Sequence, residues 1–394
     1  MAIGVITNES TVALVAEVTE GTYVAPSTGV DYVEVLADGL ELNKTREELS
    51  RDTLGGTVES EASRVGIAEV QGSIPCEYKA SATEGDAPQS LDILLRSLLG
   101  GKRQITADQT SDIATHTSTV IDFADTSAFA VGDIVLVKEA GAYECRPISS
   151  IQTNTSITFP FALDNGAPSS AVVVAQVTTY YHDTSNSITF SAEHNLGSQA
   201  IKQKVDGLRA VSGSIENMSV GQLPNFNFGV QGLNIVREDA DATAAADFTA
   251  DALPPVTLES CVWLGGNKMS YTELAVNIEN TVSYIADACD ADGRIGSRIT
   301  EQVVTASFNP YLDDSDLTLV WDKFNNNTDA SLFYYSFNPS TTTGEFGEVV
   351  AGWLPQCKIL ATPVSDNDGI VSESVEVKAH KSGVGSNSIF LGFI

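Results

Sequence analysis

One short stretch of the chain resembles a phosphate-binding loop. In "LLGGKRQ", two glycines precede Lys102, as they do in loops whose backbone N–H groups bind phosphate. That motif also needs a glycine five residues before Gly101, where Arg96 stands, and a hydroxyl residue after the lysine, where Arg103 stands. We therefore interpret the stretch as the end of a helix, which glycine favours.

A second stretch, "DACDADGRIGS" from Asp287 to Ser297, has acids spaced partly like those of a calcium-binding loop. Ala288 stands where the first ligand is needed, and Ile299 stands where the bidentate carboxylate is needed. The spacing of the acids therefore favours a polar hairpin tip over a cation site.

Residues for catalysis are scattered along the chain. Four histidines lie far apart, five cysteines include no C-x-x-C pair, and no serine-nucleophile, zinc-protease or dinucleotide motif occurs. No catalytic pair can be chosen among 52 acidic residues without geometry. We therefore predict no enzyme, no cofactor and no metal, and a hydrolase is the weakest of the functional alternatives.

The net charge of −31 limits the possible partners. A surface this acidic repels nucleic acid phosphates and keeps an abundant protein soluble. With 42% apolar residues the chain is expected to fold, and it has no run long enough for a membrane span and no signal peptide at its start. We therefore expect synthesis in the cytoplasm without export, and no membrane partner.

Two long polar segments, 44–62 and 278–296, are predicted to be loops between strands. Their mixed charge suits pairing between copies of the chain through complementary charge, and the alternative is a solvated loop. The candidate contact residues are Lys44, Arg46, Glu47, Glu48, Arg51, Asp52, Glu59, Glu61, Glu279, Asp287, Asp290, Asp292 and Arg294.

The elements that carry these segments are mostly strands. Alternating or β-branched runs such as "DYVEVL" and "DIVLVK" predict a mainly-β fold. Helical spacing is clear at two places only. The first has Leu91, Leu94, Leu95 and Leu98 on one face, after Ser90 as a possible N-cap; the second has Leu317, Val320, Trp321 and Phe324 on one face, after Ser315 as a possible N-cap.

The same order of elements occurs twice. "LELN" at Leu40 aligns with "LAVN" at Leu274, and "SRVGIAEVQGSI" at Ser63 aligns with "SRITEQVVTASF" at Ser297. Both pairs have the same separation and need no gap between them; we call this separation, from Leu40 to Leu274, the repeat offset. Strand, polar segment, strand and helix thus recur, which predicts a duplicated domain.

The first copy is longer by about 82 residues, which form β-rich sequence of their own and are expected to decorate the surface. An acidic, alanine-rich connector ending in Pro254-Pro255 is interpreted as a linker, with a short helix over 239–248 as the alternative. The predicted division is 1–102 with 183–237 as the first domain, 103–182 as an inserted β domain, 238–255 as the linker and 256–394 as the second domain.

Several of these stretches resemble one family. "AEVTEGTYVAP", "DYVEVLADGLELNKTREELSRDTLGG", "AEVQGSIPCEYKA" and "GLRAVSGSIENMSVGQLPNFNFGVQGL" are similar to the major tail tube proteins of phages with long, non-contractile (siphovirus-type) tails. The resemblance extends over the chain except for the insertion.

That resemblance implies two tandem β-sandwich or barrel domains, each with one packing helix, and a structural virion protein whose rings stack into a tube for genomic DNA. It implies rings of three chains, or alternatively six. The implied partners are the tail tip and head–tail completion proteins, with the tape measure protein and DNA passing through the lumen without specific binding. A different virion surface or decoration protein, with a carbohydrate- or receptor-binding insertion, is the main alternative.

Overall fold

The computed structural model describes residues 9–51, 62–112, 116–139, 142–197, 201–248, 252–258, 260–290, 293–312, 317–337, 348–383 and 386–394. The fold is mainly β, with 54% strand and 5% helix, as the sequence predicts.

The first half begins with a small strand, a long hairpin and a helix. The four leucines of the predicted helix face are fully buried, and Gly100 ends the helix with a φ of 90°. Ser90 does not cap the helix, since its Oγ accepts a hydrogen bond from the Glu34 N–H at 3.3 Å. The elements are β1 (Thr11–Ala16), a 3₁₀ turn (Gly29–Asp31), β2 (Tyr32–Val33), β3 (Glu41–Leu49), β4 (Arg64–Glu77), α1 (Asp92–Leu98) and β5 (Gly100–Ile105).

The predicted insertion contains two small sheets. One has the strand order β6-β12-β8-β9 and the other β10-β11-β7. Their bounds are β6 (Gln109–Thr110), β7 (Val120–Asp122), β8 (Ile134–Glu139), β9 (Ala142–Pro147), β10 (Ser150–Gln152), β11 (Ser156–Thr158) and β12 (Val173–Val174).

The chain then returns to the first half. β13 (Val177–His182) pairs with β5, so both ends of the predicted insertion lie in the large sheet. β14 (Phe190–Asn195) pairs with β1 and with β15 (Ile201–Ser219). β15 also pairs with β16 (Asn225–Gly232) and β17 (Asn234–Asp239), and β16 pairs back to β4. Residues 240–248 contain no helix, in contrast to the alternative considered for the connector.

The second half contains the remaining elements. Its strands are β18 (Cys261–Leu264), β19 (Asn267–Met269), β20 (Tyr271–Ala286), β21 (Arg294–Pro310), β22 (Ala330–Ser336), β23 (Val350–Ala361), β24 (Val364–Asn367), β25 (Ile370–Glu373), β26 (Val375–Ala379) and β27 (Phe390–Phe393). Its helical segment is a π turn (Leu317–Trp321) followed by α2 (Asp322–Asn325).

The second helix differs from its prediction. Val320 is buried and Phe324 packs on the core, but the Trp321 side chain is 48% exposed. A π turn has more residues per turn than an α-helix, so the four predicted positions do not share one face. Ser315 lies outside the described residues, as does the side chain of Leu317.

Part of each predicted polar loop is strand in the described residues. β3 extends to Leu49 and β20 extends to Ala286, each paired with the next strand in an antiparallel hairpin. Pairing between the strands supplies the hydrogen bonds of the backbone N–H and C=O groups. Both surfaces of the hairpin can therefore carry polar side chains.

The pairing of strands is similar in the two halves. Glu41 pairs with Ser73, and at the repeat offset from these two residues Ala275 pairs with Ser307. In each half the second hairpin strand pairs with a later strand, β16 or β26, which pairs with a long strand, β15 or β23. The division into two tandem domains, an insertion and a linker remains a prediction.

Candidate assembly surface

Eight strands form one continuous sheet across both halves, in the order β3-β4-β16-β15-β20-β21-β26-β23. The side chains on one surface of this sheet are apolar and buried in the main core, to which the leucines of α1 also belong. They include Leu42, Val70, Phe228, Ile215, Val276, Ile278, Val304, Val377 and Ile359.

The opposite surface, which we call the polar face, carries small polar and acidic side chains. Residues that are directly opposite each other on paired strands have their side chains on the same surface of the sheet, so the strand register shows which residues belong to the polar face. Ser73 is paired with Gly229, Asn227 with Ser214, and Asn277 with Thr305. Its glutamates are Glu41, Glu69, Glu216, Glu273, Glu279, Glu301 and Glu376, and its lysines are Lys358 and Lys378.

Among the described residues the polar face is therefore a broad surface on which acidic side chains outnumber basic ones. Carboxylates repel nucleic acid phosphates, and at physiological salt this repulsion reaches about 8 Å. Of the predicted contact residues that the structure describes, Glu279 lies on the polar face opposite Val303, and Glu47 lies on the same side of β3 as Asn43 and Thr45. The signal for the rest of this face was the alternation in "NFNFGVQG", "LELN" and "VEVKAH", which places every second side chain on one surface.

The structure brings several predicted contact residues of the two hairpins together. Lys44 and Arg46 of β3 line a cleft of about 410 Å³ with Ile67 of β4, and Asp290 and Gly293 form its opposite side. The Lys44 ammonium also donates to the Asn234 Oδ1 of β17. Charged residues of the two segments thus line one cleft within a single chain.

The other predicted contact residues are placed differently. Glu47, Glu48 and Arg51 are exposed to solvent, and Asp287 is partly exposed. Arg294 stacks on the Tyr284 ring at 4.0 Å from its centroid, which holds it within its own hairpin. Outside the described residues lie Asp52, Glu59, Glu61 and Asp292.

A polar network holds the second hairpin against the first half. Arg209, which is 4% exposed, donates to the Ser297 Oγ at 2.8 Å and to the Ser187 Oγ at 2.7 Å. Glu20 accepts from the Ser297 N–H at 2.5 Å and from Arg298 at 2.7 Å. We call this group the junction network. It fixes β21 beside β15 and the turn after β1.

A buried carboxylate, Glu193 of β14, holds the connector. It accepts from the Thr243 N–H at 2.9 Å and the Thr243 Oγ1 at 2.6 Å, and from Tyr23 and Tyr32 at 3.0 and 3.1 Å. Burial opposes its ionisation, but the hydrogen bonds from Thr243 and Tyr23 and the charge of Lys202 outweigh burial and lower the pKa of Glu193.

We expect Glu193→Gln to lower the free energy of unfolding at pH 7 by about 2–3 kcal/mol, because an amide replaces charge-assisted acceptors facing buried donors. A carboxyl with a depressed folded pKa contributes stability above its unfolded pKa and loses it as the pH falls through the folded value. The free energy of unfolding of the variant, measured by urea titration at several pH values, should therefore fall less steeply at acid pH than that of the wild type.

The matched control for this prediction is Glu238→Gln, which breaks the half-exposed pair with Lys204 at 2.7 Å. We expect a loss of at most about 1 kcal/mol for this variant. Equal losses in the two variants would contradict the role of Glu193.

The insertion packs on the second half rather than projecting freely as a surface decoration. Phe161 stacks on Trp263 with ring centroids 5.9 Å apart, and Trp263, Phe333 and Trp353 belong to the same buried cluster as the insertion's apolar residues. Arg146, which is fully buried, lies 5.1 Å from the ring centroids of both Phe161 and Trp263.

Nothing in the described part of the chain indicates catalytic chemistry. No group of three or more His, Cys, Asp or Glu residues is placed to hold a metal among those residues. Burial raises the pKa of the Cys145 thiol to about 12 and of the Cys357 thiol to about 12, so neither supplies a thiolate nucleophile. Across the same described ranges, no helix is both long and apolar enough to cross a membrane.

Comparison with known proteins agrees with this structural character. No curated protein matches the chain. A family model described as "Phage tail tube protein" matches residues 7–379. Because that match extends over nearly all of the sequence, the chain belongs to the phage tail tube protein family.

Proposed function

We propose that copies of this chain form closed rings that stack into the tube of a long phage tail, with the polar face lining the channel. The observation that carries this proposal is the continuous eight-strand sheet, which is apolar on one surface and rich in glutamate on the other. If the sheet curves around the ring axis with its apolar surface on the outer side, covered by the core, its polar surface lines the channel.

Two similar halves in each chain favour three chains in a ring, with six hairpin-and-helix units around the axis, rather than six chains. The tape measure protein and then genomic DNA pass through this channel without specific binding, because glutamates repel phosphates. Tail tip and head–tail completion proteins close the two ends of the tube.

Electron microscopy of the purified chain at high concentration tests this proposal. We expect rings or tubes, and native mass measurement of a ring should give three chains. A protein that remains monomeric under all conditions would overturn the proposal, and a ring of six chains would overturn its stoichiometry.

The position of the polar face is tested by charge reversal. We expect the triple variant Glu41→Lys, Glu279→Lys, Glu376→Lys to assemble into tubes that retain added double-stranded DNA at low salt, while wild-type tubes do not. Asp241→Lys, an exposed change in the connector, is the control and should behave as wild type. Equal DNA retention by the triple variant and the control would place the polar face away from the channel.

A further inference from the structure

Three buried polar side chains meet where β14 pairs with β15. Asn195 and Lys202 are directly opposite each other in this antiparallel pair, and Glu193 lies two residues before Asn195, on the same surface. The exposed fractions are 1% for Glu193, 5% for Asn195 and 6% for Lys202. We call these three residues the Lys202 cluster. Burial of an amine, a carboxylate and an amide together is costly unless each has a partner, so the contacts between them are informative.

The carboxylate of Glu193 contacts both other members of the cluster. The Asn195 Nδ2 donates to the Glu193 Oε1 at 3.5 Å, and the Lys202 Nζ lies 3.5 Å from the Glu193 Oε2. One carboxylate therefore bridges the amide and the amine through its two oxygens. The Lys202 Nζ also donates to the Thr243 Oγ1 at 3.1 Å, which holds the lysine side chain over this part of the sheet.

The amide of Asn195 is only partly satisfied. Its Nδ2 donates to the Thr11 Oγ1 at 3.2 Å, but its buried Oδ1 has no hydrogen-bond partner among the described residues. An unpaired buried acceptor costs about 1–3 kcal/mol. The ammonium of Lys202 has three N–H donors, of which Thr243 and Glu193 take at most two. Lys202 is therefore a group that can approach the Asn195 carbonyl.

The strand pairing puts this approach within reach of the lysine side chain. Directly opposed residues have Cβ atoms about 4.5–5.5 Å apart. The four-carbon stem of a lysine is flexible and longer than this gap, so rotation about its bonds is enough to bring Nζ to the Asn195 Cγ. No movement of the backbone is needed.

We propose that Lys202 and Asn195 join through an intramolecular amide bond, with Glu193 carrying a proton between them. The Lys202 ammonium transfers a proton to Glu193, and the neutral amine attacks the Asn195 Cγ. A bond forms between Nζ and Cγ, and the bond between Cγ and Nδ2 breaks. Glu193 returns its proton to Nδ2, the attacking nitrogen gives Nδ2 a second one, and an ammonium ion leaves. Glu193 ends ionised as it began, and no oxidant or reductant takes part.

The surroundings of the cluster favour this reaction. In water an amide resists attack by an amine, because the amine is protonated and the two groups seldom meet. In the Lys202 cluster a carboxylate accepts the proton, strand pairing holds the two groups side by side, and burial keeps out the water that would compete. Each chain reacts once and acts on no other molecule, so even a slow step is sufficient.

The new bond ties β14 to β15 beside the contact that holds the connector, since Thr243 donates to the same Glu193. A covalent bond between side chains survives denaturant, whereas the hydrogen bonds of the strand pair do not. The register of β14 and β15 is thereby fixed at this point even in an unfolded chain. This inference concerns a single chain and does not depend on whether rings form.

The mass of the purified wild-type chain tests the inference. We expect a mass below that of the sequence by about 17 Da, because each new amide bond releases ammonia. Cleavage after glutamate should release the peptide 194–216 with this deficit. Its fragmentation should give no ions from cleavage between 195 and 202, since the side-chain bond keeps both pieces together. Asn165-Gly166, which can lose ammonia by cyclisation, lies outside this peptide.

Two variants identify the groups that react. Lys202→Arg retains the positive charge but not the primary amine, and Glu193→Gln cannot accept the proton, so we expect both to have the full mass of their sequences. Lys204→Arg is the matched control and should keep the deficit, because Lys204 is directly opposite Glu193 but forms its ion pair with Glu238, at 2.7 Å. A wild-type chain of full mass, or a deficit that persists in Lys202→Arg, would overturn the inference. The wild-type measurement needs no variant to fold.

Discussion

Replacement of Arg146 by alanine is expected to lower the free energy of unfolding by about 3–5 kcal/mol, the range for breaking a buried ion pair. The guanidinium donates to Glu144 at 3.0 Å, to Asp164 at 2.8 Å and to the Ala162 carbonyl oxygen at 3.0–3.1 Å. Its removal leaves the buried Glu144 carboxylate without a countercharge and opens a void beside Trp263.

Chemical denaturation followed by tryptophan fluorescence measures this loss. Because Arg146 joins the insertion to the second half, an early transition at the insertion should precede global unfolding in the variant. Lys268→Ala is the matched control, since Lys268 lies 5.6 Å from the same Trp263 ring and 3.7 Å from the same Asp164, but its side chain is 54% exposed. We expect less than about 1 kcal/mol for the control, and a similar loss for Arg146→Ala would contradict the argument.

Replacement of Arg209 by alanine is the second large change, with an expected loss of about 3 kcal/mol. Arg209 is the buried cation of the junction network, and its removal leaves Ser297 and Glu20 with fewer donors between β15 and the second hairpin. Hydrogen exchange should become faster at residues 294–299 before it changes in α1. Uniform acceleration over the whole chain would show that Arg209 does not act at this junction.

Arg298→Ala is the control for the Arg209 variant. Arg298 binds the same Glu20 at 2.7 Å, but its side chain is 64% exposed. Solvent replaces an exposed partner at little cost, so we expect at most about 1 kcal/mol. The contrast between two arginines on one carboxylate separates the effect of burial from that of charge.

Local patterns in the sequence were sufficient for several elements. The leucine spacing from Leu91 to Leu98 predicted α1, because an amphipathic helix needs only its own apolar stripe. The gapless repeat offset predicted a repeated hairpin, whose strands pair in the same register in both halves. The mainly-β class followed from alternation in many short segments.

Other features depended on contacts between distant parts of the chain. Val320 and Trp321 lie in a π turn rather than an α-helix. The α-helical spacing therefore placed both side chains on the buried face, whereas Trp321 is exposed and only Val320 is buried. The charged segments were predicted as loops, because their composition does not reveal that a partner strand supplies their hydrogen bonds.

The sequence by itself determined that this chain is β-rich, acidic, internally repeated and similar to tail tube proteins, because composition, periodicity and repeated order are properties of neighbouring residues. Only the tertiary structure decided which glutamates share the polar face, that the insertion packs on Trp263, and that β15 joins the halves. Those outcomes depend on strand register and on side-chain packing between segments far apart in sequence, which no local pattern specifies.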